Sequence, residues 1–262
     1  MSEYLGELQL RARVGEMNLG KKRRFTIDGL WNRFLDILYP PFCVVCGVDG
    51  LWVCSSCTLV VKFFVRQACP FCLRVETGGL ICERCKIIFA NGLTGLFACV
   101  EYRENMIESK LIHALKYDFI TDLVPSIGDI MLKALDGGFP DGWVLSFVPL
   151  HVKRQKWRGF NQAELLAKYL GEKMELPVVN LLERISFSKA QMELGREERA
   201  ENIRGAFAPR ISHDEFHPIK IPKKIILIDD VATTLSTLNE CAQVLKNAGV
   251  AEVFGLVFAR AV

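Results

Sequence analysis

The chain has no apolar run long enough to cross a bilayer. Its longest runs, such as Leu59 to Val65 and Val253 to Ala259, are far short of the roughly 20 residues a spanning helix needs, and Lys62 interrupts the first. Met1 to Gly20 is not expected to be a secretory leader either, since it mixes acidic and basic residues and has no apolar core followed by a cleavage site. Met17, directly before Asn18-Leu19-Gly20-Lys21-Lys22-Arg23-Arg24, is a second candidate start. These absences lead to the expectation of a cytoplasmic protein without membrane insertion. A dominant charge is also lacking. With 33 Lys and Arg against 30 Asp and Glu the formal net charge is +3, so a nucleic-acid role has to rest on local clusters rather than on composition. Apart from cysteine doublets there is no internal repeat and no low-complexity tract, which sets aside repeat architectures.

What remains is ordinary globular material with one unusual region. The 262 residues, 50% hydrophobic and 24% charged, suffice for one medium domain and a small one. Eight of the ten cysteines form four Cys-x-x-Cys pairs: Cys43 and Cys46, Cys54 and Cys57, Cys69 and Cys72, Cys82 and Cys85. Such a turn aims two thiolates at one metal, so four turns supply two tetrahedral sets for structural Zn²⁺. Disulfides do not suit a reducing compartment, and a redox Cys-x-x-Cys would occur once beside a βαβ unit. Both sequential and interleaved pairing satisfy the spacing, and sequential pairing is favoured. With few large apolar residues between its cysteines the region cannot build a self-sufficient core and is expected to fold on metal binding, while a separate α/β core stays folded without it. Cys99 and Cys241 stand alone in apolar patterns and read as buried thiols.

Three domains are expected: an N-terminal extension, disordered, over 1–30; a helix with a double zinc ribbon over 31–90, where Leu30, Phe34, Ile37 and Leu38 share a helical face before Pro40-Pro41; and an α/β domain over 91–262. In the last, Gly95 to Tyr102 reads as a strand, Asn105 to Tyr117 as a helix, Asp122 to Leu135 as a second helix, Trp143 to Pro149 as a strand and Ala251 to Arg260 as a closing strand. The most informative stretch is Lys224 to Leu245. Ile225-Ile226-Leu227-Ile228 is a buried parallel strand by composition, Leu235, Leu238, Ala242 and Leu245 make one helical face, and Thr234 is a candidate N-cap. Between them lies Asp229-Asp230-Val231-Ala232-Thr233-Thr234. Carboxylates at the carboxyl end of a strand, followed by hydroxyls and the first amides of a helix, make a phosphate-binding crevice.

A second strand, Trp143 to Pro149, delivers the chain into a polar loop rich in cations, with Lys153, Arg154, Lys156 and Arg158 around Trp157, followed by Asn161 as the N-cap of a helix. Such a loop suits a diphosphate or a nucleic-acid backbone, and Trp157 and Phe160 suit base stacking. From Ile185 to Arg204 apolar periodicity is poor and charge is high, which reads as a lid over an anionic ligand; Ile211 to Lys224 reads as a linker.

The turn after Asp229 resembles the phosphoribosyl-diphosphate (PRPP) loop of type I phosphoribosyltransferases. Several separated stretches together resemble the ComF family: Leu38-Tyr39-Pro40-Pro41-Phe42-Cys43, the zinc ribbon, His113-Ala114-Leu115-Lys116-Tyr117, Val148-Pro149-Leu150-His151, Arg158-Gly159-Phe160-Asn161-Gln162, Arg199 with Asn202 and Gly205-Ala206-Phe207, and Asp229-Asp230. The resemblance implies an α/β fold of the type I phosphoribosyltransferase kind, with a parallel sheet and helices on both faces. It implies that Asp229 and Asp230 meet ribose hydroxyls, and that Thr233, Thr234, Ser236 and Thr237 hold the 5-phosphate. Arg154 and Arg158, with Asn161 and Gln162, would form the diphosphate or nucleic-acid loop, and Mg²⁺ would come with PRPP. It further implies a part in DNA uptake and natural transformation. Two classes of function follow: a pentosyl transferase using PRPP, or a non-catalytic factor that binds single-stranded DNA beside competence or recombination proteins. Where the family pattern has Gly, this chain has Leu235, whose side chain must turn away if a phosphate is to approach the backbone; Leu235→Gly is therefore expected to strengthen binding.

Overall fold

The computed structural model describes residues 41–64, 67–89, 91–136, 139, 142–186, 204–210 and 221–261. The expected extension over 1–30, the helix before Pro40, most of the polar stretch between Ile185 and Arg204, and most of the linker after Ile211 lie outside them.

Four strands form one parallel sheet: β1 (Gly95–Glu101), β2 (Val144–Phe147), β5 (Lys224–Ala232) and β6 (Glu252–Arg260), in the order β1-β6-β5-β2. A small antiparallel pair, β3 (Leu182–Arg184) and β4 (Phe207–Pro209), flanks the residues between them in sequence. The apolar run of β5 is continuous because helices cover both of its faces, leaving Ile225, Ile226, Leu227 and Ile228 fully buried. Ile226 and Ile228 pack with Leu256 and Phe258 among residues of α3 (Ile107–Tyr117), α4 (Leu123–Leu135) and α6 (Gln162–Met174). Ile225 and Leu227 pack with Val253 and Val257 against α7 (Ser236–Asn247). Alternate residues of one strand thus serve opposite cores, the pattern of a sheet with helices on both faces. Pro125 falls in the first turn of α4, where its missing N–H has no helical acceptor to lose. Cys99 and Cys241 are buried thiols, one in each core.

The cysteine region sits on the exposed edge of β1. The N–H of Phe64 donates to the carbonyl of Cys99 at 2.8 Å, Leu96 donates to Gly79 at 2.9 Å, and Ile81 donates to Thr94 at 3.1 Å. The Gln67 amide completes the seam, donating to the Ala98 carbonyl at 2.9 Å and accepting from the Ala98 N–H at 3.1 Å. An open strand edge is a liability, and the ribbon covers this one. Its two halves, which carry the short helices α1 (Ser55–Leu59) and α2 (Glu83–Ile88), divide between the two faces of the sheet. Cys43, Val53, Cys57 and Val61 belong to the core of α3, α4 and α6, whereas Cys69, Ile81, Cys82 and Cys85 belong to the core of α7. Packing therefore joins the ribbon to both faces of the sheet, a physical reason to expect the α/β core to depend on the metal region rather than to fold apart from it. Among the described residues, no helix is long and apolar enough to cross a membrane.

Candidate functional site

Strand β5 outruns its neighbour on one side. Pairing with β2 ends at Phe147 opposite Ile228, whereas pairing with β6 continues to Ala232 opposite Arg260. Asp229 and Asp230 therefore lie where the sheet opens, at its carboxyl end, the place where open α/β sheets bind ligands. Asp229 Oδ1 accepts the N–H of Asp230 at 2.9 Å, and Asp230 Oδ1 accepts the N–H of Val231 at 2.7 Å. Burial, and then the neighbouring Asp230 carboxylate, push the Asp229 carboxyl up to about 8, with Lys116 pulling the other way. Asp230 is only 3% exposed. A carboxylate so deep needs a partner, and Lys116 supplies it: its Nζ lies 2.7 Å from Asp230 Oδ2.

The turn that follows differs from the sequence expectation in its cap. Leu235, not Thr234, precedes the first helical residue of α7, with φ 63° and ψ −3°. That is the left-handed region, which costs a leucine about 1–2 kcal/mol. The cost is offset by burial, since the Leu235 side chain is 6% exposed and packs in the core of α7. The backbone thus keeps the conformation glycine would take, and the side chain is turned away from the turn's open side, as close phosphate approach requires. Thr233 is exposed and Thr234, Ser236 and Thr237 are half-buried, with the hydroxyls of Thr234 and Ser236 3.0 Å apart. The N–H of Asn239 donates to the carbonyl of Leu235 at 2.8 Å, so the amides ahead of it belong to the unsatisfied first turn of the helix. Because the leucine is already turned inward, Leu235→Gly is expected to lower the unfolding free energy by about 1–2 kcal/mol, the lost burial exceeding the relieved strain. Urea unfolding of the two proteins checks this.

The basic stretch is a short helix rather than a loop. α5 (Val152–Arg158) starts under His151, whose Nδ1 accepts the N–H of Lys153 at 3.1 Å, and closes at Gly159 with φ 83°. The sequence missed it because seven residues with no buried face carry no helical periodicity. Arg158 is aimed by two contacts. Its Nη1 donates to Gln162 Oε1 at 2.7 Å, and its guanidinium stands over the Tyr117 ring at 5.9 Å. Burial lowers its pKa while the Asp230 charge raises it. Asn161 is turned inward: Oδ1 accepts from Ala163 N–H at 3.1 Å and Nδ2 donates to the Val148 carbonyl at 3.0 Å. It caps α6 and fixes the loop, while Gln162 orients Arg158. Trp157 is 63% exposed and meets Phe119 edge-on at 5.3 Å, and Phe160 also meets Phe119 edge-on, at 6.5 Å.

Two cations at this end of the sheet went unassigned in the sequence. Lys116 lies in the last turn of a helix whose inward residues, Leu111, Ala114 and Leu115, were legible, but periodicity says nothing of what a polar residue one position further on will reach. Arg184 lies over the Phe207 ring at 5.3 Å; burial lowers its pKa, then the Arg154 charge does, with Asp229 raising it. The His151 imidazole is likewise held low, by desolvation and then by the charges of Arg184, Lys153 and Arg154.

The cysteines form two groups, Cys43 with Cys46, Cys54 and Cys57, and Cys69 with Cys72, Cys82 and Cys85, the ligand atoms of each group within 4.8 Å of one another. Sequential pairing is therefore the arrangement present. The Sγ atoms of Cys46 and Cys54 are 3.6 Å apart and those of Cys72 and Cys82 are 3.5 Å apart. Zn–S bonds of about 2.3 Å in a tetrahedron place sulfurs about 3.8 Å apart, so both groups fit the ion. Backbone amides reinforce them, Cys54 N–H reaching Cys43 Sγ and Cys82 N–H reaching Cys69 Sγ.

Comparison with known proteins agrees with this division. Residues 34–86 match the double zinc ribbon domain family. The chain is 38% identical over 107 residues to Competence protein F of Haemophilus influenzae, a match covering 40% of this chain and 45% of that protein. It is 28% identical over 222 residues to Competence protein ComFC of Streptococcus pneumoniae, covering 80% of this chain and 89% of the other. It is 27% identical over 227 residues to the DNA utilization protein YhgH of Escherichia coli, covering 82% and 94%. These similarities bear out the resemblance to the ComF family.

Proposed function

We propose that the protein binds PRPP, or a related phosphoribosyl ligand with Mg²⁺, at the carboxyl end of β5, and that it acts in DNA uptake. The observation that carries the first part is the turn after Asp230: a helix N-terminus held open by a left-handed Leu235, behind paired carboxylates at the end of a parallel strand. In this reading Asp229 and Asp230 accept hydrogen bonds from the ribose hydroxyls, and Thr233, Thr234, Ser236, Thr237 and the first amides of α7 surround the 5-phosphate. Arg154 and Arg158 face the diphosphate, and Gln162 holds Arg158 in place. Mg²⁺, when it comes with the ligand, neutralises diphosphate oxygens. The protein's own part in a pentosyl transfer is to position the sugar and to present carboxylates as positive charge develops at the anomeric carbon. Two Zn²⁺ ions are structural in this reading, and a division into a ribbon over 31–90 and an α/β domain over 91–262 describes its parts. The names of the similar competence proteins support the second part.

A binding role for single-stranded DNA is supported by a separate observation, the exposed Trp157 on a helix carrying Lys153, Arg154, Lys156 and Arg158. Stacking on an aromatic face contributes about 1–3 kcal/mol per base, and the cations neutralise phosphates. A titration with an oligonucleotide over a range of salt, run beside a thermal-shift assay with PRPP and Mg²⁺, separates the readings. Arg154→Ala with Arg158→Ala is expected to reduce the salt slope by about 1.4 units, whereas Trp157→Ala is expected to weaken binding about tenfold with the slope kept. If the double arginine variant loses PRPP while DNA binding is unchanged, the helix is a diphosphate site alone.

A further inference from the structure

The paired carboxylates already have a cation of their own. Oδ1 of Asp230 accepts the N–H of Val231, and Oδ2 forms an ion pair with Lys116 Nζ without an aligned hydrogen bond, each at 2.7 Å. Lys116 is not a surface side chain that drifted into contact. It occupies the last turn of α3, where the helix dipole favours positive charge, and buried Leu111, Ala114 and Leu115 fix that helix in the core. Only 20% of its side chain is exposed. Although burial pulls its pKa down, attraction from Asp230 and then Asp229 holds the ammonium above its ordinary value. Adjacent carboxylates at a strand end would otherwise suit a hard divalent cation, which takes oxygen ligands. Here a tethered ammonium stands in that place.

We propose that Lys116 is the resident counter-cation of the crevice: it excludes a divalent ion that arrives alone, and it yields Asp230 to a ribose ligand that brings its own metal with its diphosphate. The second half rests on the phosphoribosyl reading above; the first half does not. The next residue, Tyr117, lies under the guanidinium of Arg158 at 5.9 Å, so the end of α3 that carries Lys116 borders the arginine expected to face the diphosphate. A purely structural ion pair makes a different forecast, since removing its lysine would destabilise the fold without creating any affinity for metal.

The test titrates zinc-loaded protein with Mn²⁺ alone, following the free ion by electron paramagnetic resonance. Thiolate sites retain Zn²⁺ against Mn²⁺, so the ribbon does not interfere. Wild type and Lys116→Arg are expected to take up no Mn²⁺ at millimolar concentration. Lys116→Met is expected to bind one ion per chain at least tenfold more tightly, with an unfolding midpoint that rises with Mn²⁺, and the added change Asp230→Asn is expected to abolish both effects. Should Lys116→Met not fold, Lys116→Gln, which keeps a polar chain without the charge, makes the same comparison. Wild type binding Mn²⁺ as tightly as the variant, or a folded variant binding none, overturns the proposal. PRPP with Mg²⁺ is added in a separate arm. If the Mn²⁺ results are as expected and PRPP stabilises neither protein, the phosphoribosyl reading fails while the role of Lys116 stands.

Discussion

Removing zinc is expected to loosen the α/β core as well as the ribbon. The seam on β1 consists of three backbone hydrogen bonds, from Phe64, Leu96 and Ile81, with the two made by the Gln67 amide. At about 1 kcal/mol each these amount to several kcal/mol, a large share of the roughly 5–15 kcal/mol by which a domain is stable. The apolar residues lost with them, Val61 on one face and Ile81 on the other, are buried in the same cores as Phe258 and Leu227. Cys85→Ser, or treatment with a strong zinc chelator, should therefore lower the thermal midpoint of the whole described chain and speed amide exchange in β1 and then β6. A fall confined to residues 41–89, with exchange in β1 unchanged, would show instead that the ribbon is a separate unit. The same reasoning applies to either cysteine group, because each serves a different face of the sheet.

The second large effect is expected at Asp230. Asp230→Asn keeps the shape of the side chain and its acceptor for the Val231 N–H but removes the charge that holds Lys116 and would hold a ribose hydroxyl. Hydrogen bonds to charged groups are worth about 1.5–3 kcal/mol, so affinity for PRPP with Mg²⁺ should fall about 10- to 100-fold. Lys116 is left half-buried without its partner, and stability should fall as well, which makes folded protein at the assay temperature the necessary control. Calorimetric titration of both proteins measures the change. Equal affinities would place the ligand away from β5.

The β5 run and the face of α7 were readable because burial on both sides of a strand and on one side of a helix leaves patterns in apolar residues alone. The four Cys-x-x-Cys turns were readable because a metal fixes ligand spacing locally. Four things were not. The left-handed Leu235 breaks the local preference that would have named a glycine, and only tertiary burial of its side chain accounts for it. The short α5 has no buried face to write a period. Lys116 meets Asp230 across a separation of more than one hundred residues, and no local pattern encodes that contact. The seam between the ribbon and β1 was missed for the same reason, since backbone hydrogen bonds leave no mark on side-chain composition.

The most direct test of the account is amide hydrogen exchange of the zinc-loaded protein with and without PRPP and Mg²⁺, resolved over residues 229–239 and 151–162. The account predicts that exchange slows at the turn from Val231 to Leu238, where the first amides of α7 meet the 5-phosphate, with a smaller effect at α5 where the diphosphate reaches Arg158. Unchanged exchange at the turn under saturating ligand, or protection only at other parts of the chain, would contradict it.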